Sequence, residues 1–70
     1  MKPKAEQDYE IRKRAGAAVA AALKRKDATV DSVGALIGAT PSTVARWATG
    51  LNFPPASRAE NIIKDLGVKP

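Results

Sequence analysis

The first long segment of the chain has the hydrophobic spacing of an amphipathic α-helix. From Asp8 onward, apolar side chains recur at intervals that place them on one stripe of a helix. This stripe consists of Ile11, Ala15, Ala18, Val19, Ala22 and Leu23. Alanine has the highest helix propensity, and the cations at 24–26 complement the negative end of the helix dipole. The pattern predicts a helix that starts near Asp8, with residues 1–7 as a flexible N-terminal arm.

A short second helix is predicted over residues 30–38. Thr29 can cap its start, and Gly38 can end it in the left-handed conformation that glycine adopts without strain. Its apolar residues, spaced i, i+3 and i+4, are Val33, Leu36 and Ile37. The spacing predicts that this helix is barely two turns long.

A third helix is predicted over residues 40–49. Thr40 followed by Pro41 is a strong start signal, because threonine can cap while proline needs no hydrogen bond in the first turn. Val44 and Trp47 are expected on its buried side, and Gly50 ends it. The opposite face is small, polar and cationic.

The last helix is expected after the prolines at 54 and 55. Ser57 and Glu60 match a capping box, and the apolar stripe that follows ends before Gly67. The stripe consists of Ile62, Ile63 and Leu66. No strand-like alternation occurs, so the chain is predicted to form one all-α domain over residues 8–68.

Composition limits the chemistry that this domain can carry. The 70 residues include neither cysteine nor histidine, which removes thiol nucleophiles, disulfides and the commonest general base and metal ligand. We therefore expect no enzymatic activity, no metal and no cofactor. The net charge of +5 attracts nucleic acid or anionic lipid. The alanine-rich first helix lacks the bulky apolar face that membrane binding needs, so we expect a cytoplasmic protein without membrane association.

Four residues of the second and third helices have roles that depend on one another. Gly34 allows close approach of these helices, Gly38 provides the turn, Val44 fills the space between them, and Trp47 anchors the third helix. This set, with the runs Thr29–Thr40 and Pro41–Trp47, Gly50, Pro54 and Leu66–Val68, resembles the Cro/C1-type (lambda-repressor-like, Xre) helix-turn-helix family. The resemblance covers about residues 12–68.

The resemblance implies a lambda-repressor-like bundle of four to five helices that contains a helix-turn-helix. The third helix would enter the major groove of double-stranded DNA, and the second would lie across the backbone. A sequence-specific transcription regulator of phage or bacterial type is therefore expected, such as a repressor, associated with the nucleoid. It is expected to bind DNA as a homodimer, because one helix reads only a few base pairs. No small-molecule ligand is expected.

The resemblance also implies which residues face DNA. The base-facing candidates are Thr40, Ser42, Ala45, Arg46 and Thr49, and Thr43 is a further candidate in the first turn. Arg46 can donate two hydrogen bonds to guanine, and Ala45 can touch a thymine methyl group. Pro41 stands where family members often carry a base-reading polar residue, so direct readout is expected to be narrow.

Phosphate contacts are expected from backbone amides and from cations. Val30 and Asp31, with Thr29, would offer amides at the start of the second helix, and Asn52 would contact phosphate from the following loop. The cations that could add electrostatic affinity are Lys24, Arg25, Lys26 and Arg58.

Other interpretations stay open at this point. The alanine-rich first helix could be the partner-binding surface of an antitoxin-like or other protein-interaction module. Arg46 could be only a solvated cation. Trp47 is expected in the core, Phe53 is expected to anchor its loop to that core, and the role of Tyr9 is undecided.

Overall fold

The computed structural model describes residues 4–67 and contains four α-helices in that part of the chain. They are α1 (Lys4–Leu23), α2 (Val30–Ile37), α3 (Pro41–Thr49) and α4 (Ala56–Asp65). Residues 4–67 form no strand, which confirms the all-α prediction, and a fifth helix is not found among them. The expected positions of all four helices are therefore confirmed to within a few residues at their ends.

α1 is the element on which the other helices assemble. It contacts all three of them, α2 contacts both α3 and α4, and α3 makes no contact with α4. The buried core is made of Ala15, Ala18, Val19, Ala22, Val33, Ile37, Val44, Trp47, Ala59, Ile62 and Leu66. Because α3 is held only by α1 and α2, no other helix of the described chain covers its opposite side.

The start of α1 differs from the sequence prediction. The helix begins at Lys4, so residues 4–7 of the predicted arm are helical, whereas residues 1–3 lie outside the described residues. The first turn carries no apolar stripe that periodicity could detect, yet its residues are mostly good helix formers. The predicted stripe itself is confirmed, since its alanines and Val19 are buried and Ile11 and Leu23 are partly buried.

The helix caps around α2 and α3 match the prediction. The hydroxyl of Thr29 accepts the Ser32 amide at 3.0 Å, and the Ser32 hydroxyl in turn accepts the Thr29 amide at 2.9 Å. Gly38 has φ 70° and Gly50 has φ 78°, so both end their helices in the left-handed conformation. Thr40 caps α3, whose first residue is Pro41. Local residue preferences therefore define this part of the backbone.

Leu36 does not belong to the core, contrary to the prediction for α2. Its side chain is 62% exposed, while Val33 and Ile37 are buried. Neighbouring helical residues point about 100° apart, and the buried side of α2 is only wide enough for Gly34, Val33 and Ile37. The i+3 position therefore falls on the solvent side.

The predicted capping box at the start of α4 is wrong. The helix begins at Ala56 with Pro55 as its N-cap residue, and no side chain caps it. Ser57 consequently lies inside the first turn, where it cannot act as the cap. The backbone carbonyl of Pro55 accepts the amides of Arg58 and Ala59, both at 3.0 Å. The buried Pro54 fixes the preceding loop and thereby sets where the helix starts.

Three arginines tie distant parts of the chain together through backbone carbonyls. Arg12 of α1 donates from Nε to the Pro54 carbonyl at 2.8 Å. Arg25 donates to the Leu66 carbonyl at 2.6 Å, and Arg58 of α4 donates to the Ile37 carbonyl at the end of α2. Because the last carbonyls of a helix have no partner within it, the contacts to Ile37 and Leu66 satisfy groups that the helices alone cannot. Arg25, predicted to complement the end of α1, instead caps the end of α4.

None of the helices in the described region has the length and apolar character needed to cross a membrane. Among the same residues, no cluster of three or more acidic, histidine or cysteine side chains could hold a metal ion.

Candidate functional site

The outward face of α3 is the candidate site. Val44, fully buried, and Trp47, 6% exposed, fix the inner edge of this helix against the core. Five of its residues are exposed, and together they define the outward face: Pro41, Ser42, Ala45, Arg46 and Thr49. At about 100° per residue they cover roughly 140° of the helix circumference. All of these side chains except that of Arg46 are small, so another molecule can approach the helix backbone closely.

Ser42 and Arg46 lie one helical turn apart on this face. Within residues 4–67, the structure shows no hydrogen bond from either side chain to the protein. A hydroxyl and a guanidinium are therefore available side by side to an external ligand. Arg46 offers five N–H donors in a planar fork, which suits acceptors that occur in pairs.

The threonines predicted to face bases are not equally available. The Thr40 hydroxyl accepts the Thr43 amide at 3.3 Å and donates to the Thr43 hydroxyl at 2.9 Å. Thr43 itself is half-buried. Thr49 donates its hydroxyl to the carbonyl of Ala45 at 3.0 Å. Threonine commonly bonds to a carbonyl one turn earlier in a helix, so the sequence contained this signal, but the prediction did not use it.

The start of α2 offers fewer amides than predicted. The Thr29 amide is engaged by the Ser32 hydroxyl, so Thr29 is not available to a phosphate through that group. Val30 and Asp31 occupy the first turn, whose amides have no partner within a helix. Val30 is half-buried and Asp31 is exposed, and the Asp31 carboxylate places negative charge beside these amides.

Asn52 lies in the loop that joins α3 to α4, and it is exposed. The loop is held on the side of α1, because Arg12 donates both to Pro54 and, from Nη2, to the Phe53 carbonyl at 3.3 Å. Sequence reasoning did not identify Arg12 as the residue that positions this loop. Arg12 and Phe53 are 41 residues apart in the sequence, so no local pattern indicates that they are in contact.

The four cations predicted to add affinity fall into two groups. Arg25 and Arg58 donate to protein carbonyls, which fixes where their charges lie. Lys24 and Lys26 are exposed in the turn between α1 and α2. All four side chains are exposed, so the added electrostatic affinity stays a prediction for each of them.

We expect Arg58→Ala to lower the free energy of unfolding by about 1–3 kcal/mol, since the Ile37 carbonyl loses a charged donor. Urea denaturation would measure this loss. Lys64→Ala, on the exposed side of α4, removes the same charge without a carbonyl contact and should change stability by less than about 0.5 kcal/mol. Equal effects of the two substitutions would contradict the capping role of Arg58.

A groove of about 230 Å³ runs between α1, the end of α3 and the following loop. The residues that line it include Lys13, Gly16, Trp47 and Phe53. Phe53 is half-buried and packs edge-on against Tyr9, with ring centroids 6.1 Å apart. A Cβ atom on Gly16 would come within 2.7 Å of the Phe53 ring. The expected anchoring of this loop by Phe53 is thus made against α1.

Gly34 is required by the turn between α2 and α3. A Cβ atom there would lie less than 3.0 Å from the backbone carbonyl oxygen of Ala39, and 3.4 Å from Val44 Cγ2. The sequence predicted a close approach of α3 to Gly34. The backbone of the turn at Ala39 comes closest to this glycine, and α3 lies slightly further away. This close approach fixes the direction in which α3 leaves α2.

The arrangement can bind a polar, negatively charged surface that has hydrogen-bond acceptors within a groove wide enough for a helix. α3 presents a narrow face of small side chains with one guanidinium that has no hydrogen-bond partner among the described residues, while Asp31 at the start of α2 and Asn52 in the α3–α4 loop are also exposed. Comparisons of the chain with protein-family models, curated proteins and solved structures found no match.

Proposed function

We propose that this protein is a sequence-specific regulator of transcription that binds double-stranded DNA. In this proposal, α2 and α3 form a helix-turn-helix, and α3 enters the major groove. One observation carries the proposal. The outward face of α3 is exposed, its inner edge is fixed by Val44 and Trp47, and it presents Ser42 and Arg46 without hydrogen-bond partners in the part of the chain that the structure describes.

The dimensions of B-DNA fit this face. The major groove is about 12 Å wide and admits one α-helix, but only if bulky side chains do not hold the helix away from the base edges. Ser42 and Ala45 are small and let α3 sit deep in the groove. Arg46 can then reach guanine and donate to its O6 and N7 atoms together.

Charge supports the same partner. A net charge of +5 on 70 residues favours association with a polyanion. The first-turn amides of α2, which have no partner within the helix, and Asn52 in the α3–α4 loop can hold the phosphate backbone while α3 reads bases. Such contacts set the orientation of the protein on DNA without reading sequence.

The decisive experiment is recovery of bound sequences from a randomised duplex pool at about 150 mM salt, where non-specific binding is weak. We expect enrichment of a motif that contains guanine. Two-fold symmetry in the motif, with half-sites about 34 Å apart, would support binding as a homodimer. No enrichment by the folded protein would contradict the proposed function.

Salt dependence separates DNA binding from the alternative of a protein-interaction module. The logarithm of the DNA association constant should fall linearly with the logarithm of salt concentration, with a slope of about −0.9 for each phosphate contacted. Fluorescence anisotropy between 50 and 300 mM salt would measure this slope on the enriched duplex. A hydrophobic protein partner on α1 would show a far weaker dependence.

Arg46→Ala should weaken binding to the enriched duplex by about 1–3 kcal/mol and remove the preference at one base pair. The fold should persist, because the side chain is exposed and makes no hydrogen bond within the described residues. Lys64→Ala is the matched control, since it removes the same charge from α4 and should leave the base preference intact. An unchanged preference in Arg46→Ala would exclude Arg46 as the base-reading residue.

A further inference from the structure

Thr49 occupies the last turn of α3, on the outward face, and its hydroxyl is committed to the helix itself. The hydroxyl donates to the carbonyl oxygen of Ala45 at 3.0 Å and to that of Arg46 at 3.2 Å. Thr49 is nevertheless exposed. The exposed surface of this residue is therefore not primarily a hydrogen-bond donor.

The geometry of the threonine side chain follows from this bond. Oγ1 and the γ-methyl group are attached to the same Cβ atom in staggered positions, so only one of them can turn back toward the preceding carbonyls. In Thr49 the hydroxyl does so. The γ-methyl group is thereby directed away from these carbonyls, and the rotamer is held by the hydroxyl contact.

We propose that Thr49 is a specificity-determining residue that recognises the 5-methyl group of a thymine through its own γ-methyl group. This inference rests on the proposed function, because it places the outward face of α3 in the major groove. Thymine is the only base that presents a methyl group there. Thr49 lies one helical turn after Ala45, so it reads a different base from the one that Ala45 can touch.

The size of the effect follows from the burial of a methyl group. One buried methyl contributes about as much as one CH₂ group, which corresponds to roughly a fourfold change in affinity. Replacing the contacted thymine with deoxyuridine removes only that methyl and keeps the base pair. Wild-type protein should lose about fourfold in affinity at that one position.

The competing role of Thr49 is that of an acceptor, since its Oγ1 atom retains acceptor capacity toward the amino group of cytosine or adenine. Two substitutions separate the roles. Thr49→Val keeps the shape and the γ-methyl group but removes the hydroxyl. Thr49→Ser keeps the hydroxyl and removes the methyl group.

The experiment measures the affinity of wild type and both variants for the duplex enriched from the randomised pool, and for copies with deoxyuridine at each thymine in turn. We expect Thr49→Val to bind within about twofold of wild type and to keep its preference for thymine. Thr49→Ser should lose that preference at one position. Thermal melts of both variants would establish that they are folded, as expected for an exposed site.

The outcomes that overturn the proposal are distinct. Weak binding by Thr49→Val with normal binding by Thr49→Ser would identify the hydroxyl as the reading group. Wild-type behaviour of both variants would mean that Thr49 contacts no base. In either case an enriched duplex would still support the proposed function. If no sequence were enriched, both the proposed function and this inference would be wrong.

Discussion

Trp47→Ala is expected to lower the free energy of unfolding by about 3–5 kcal/mol. The indole is 6% exposed and lies in the core that α1 and α3 share. Its removal takes away the largest core side chain and leaves a cavity that the short helices can close only in part. A domain of this length has a total stability of roughly 4–10 kcal/mol, so the substitution would remove a large share of it.

Chemical denaturation followed by circular dichroism would measure this loss, with Leu51→Ala as the matched control. Leu51 is also a large apolar residue near the end of α3, but it is 76% exposed. Its truncation should change stability by less than about 0.5 kcal/mol. If Trp47→Ala kept the free energy of unfolding of the wild type and lost only DNA affinity, the side chain would have to be a contact surface and not a core residue.

Gly34→Ala is expected to destabilise the protein by about 1–3 kcal/mol, although alanine is the better helix former. The added Cβ atom would meet the Ala39 carbonyl oxygen at less than 3.0 Å. This obstacle is backbone, which cannot rotate aside as a side chain can. Relief requires the turn to open, and α3 would then leave α2 in a different direction.

The control for Gly34→Ala lies one residue further along the same helix. Ala35 is exposed, and Ala35→Gly removes a methyl group without altering packing, so it should cost only the propensity difference of about 1 kcal/mol. A melting temperature of Gly34→Ala equal to or above that of wild type would refute the steric role. Under the proposed function, DNA affinity should fall in Gly34→Ala more than its loss of stability explains.

Sequence reasoning was most successful where local chemistry decides the backbone. The caps at Thr29, Gly38, Thr40 and Gly50 follow from side-chain hydrogen bonds and from the freedom of glycine, both of which act over a few residues. The same applies to Val44 and Trp47, whose spacing puts them on one side of α3. These features locate the candidate face before any tertiary contact is considered.

The errors occurred where a residue had more than one plausible local role. Leu36 fits the apolar spacing of α2, yet the buried side of this eight-residue helix is narrow and contains only Val33, Gly34 and Ile37, so Leu36 lies on the solvent side. Ser57 fits a capping box, but α4 starts after the buried Pro54, two residues earlier than that box requires. In both cases packing selected among alternatives that local propensity leaves nearly equal in free energy.

By itself, the sequence determined the all-α class, the positions of the helices and which residues of α3 face outward, because these depend on periodicity and on caps of short range. Only the tertiary structure decided how the arginines are used. Arg12, Arg25 and Arg58 each donate to a carbonyl between 21 and 42 residues away along the chain, and no local sequence pattern indicates these partners. A cation binds whichever acceptors the fold brings within reach, and that neighbourhood is a property of the packed chain.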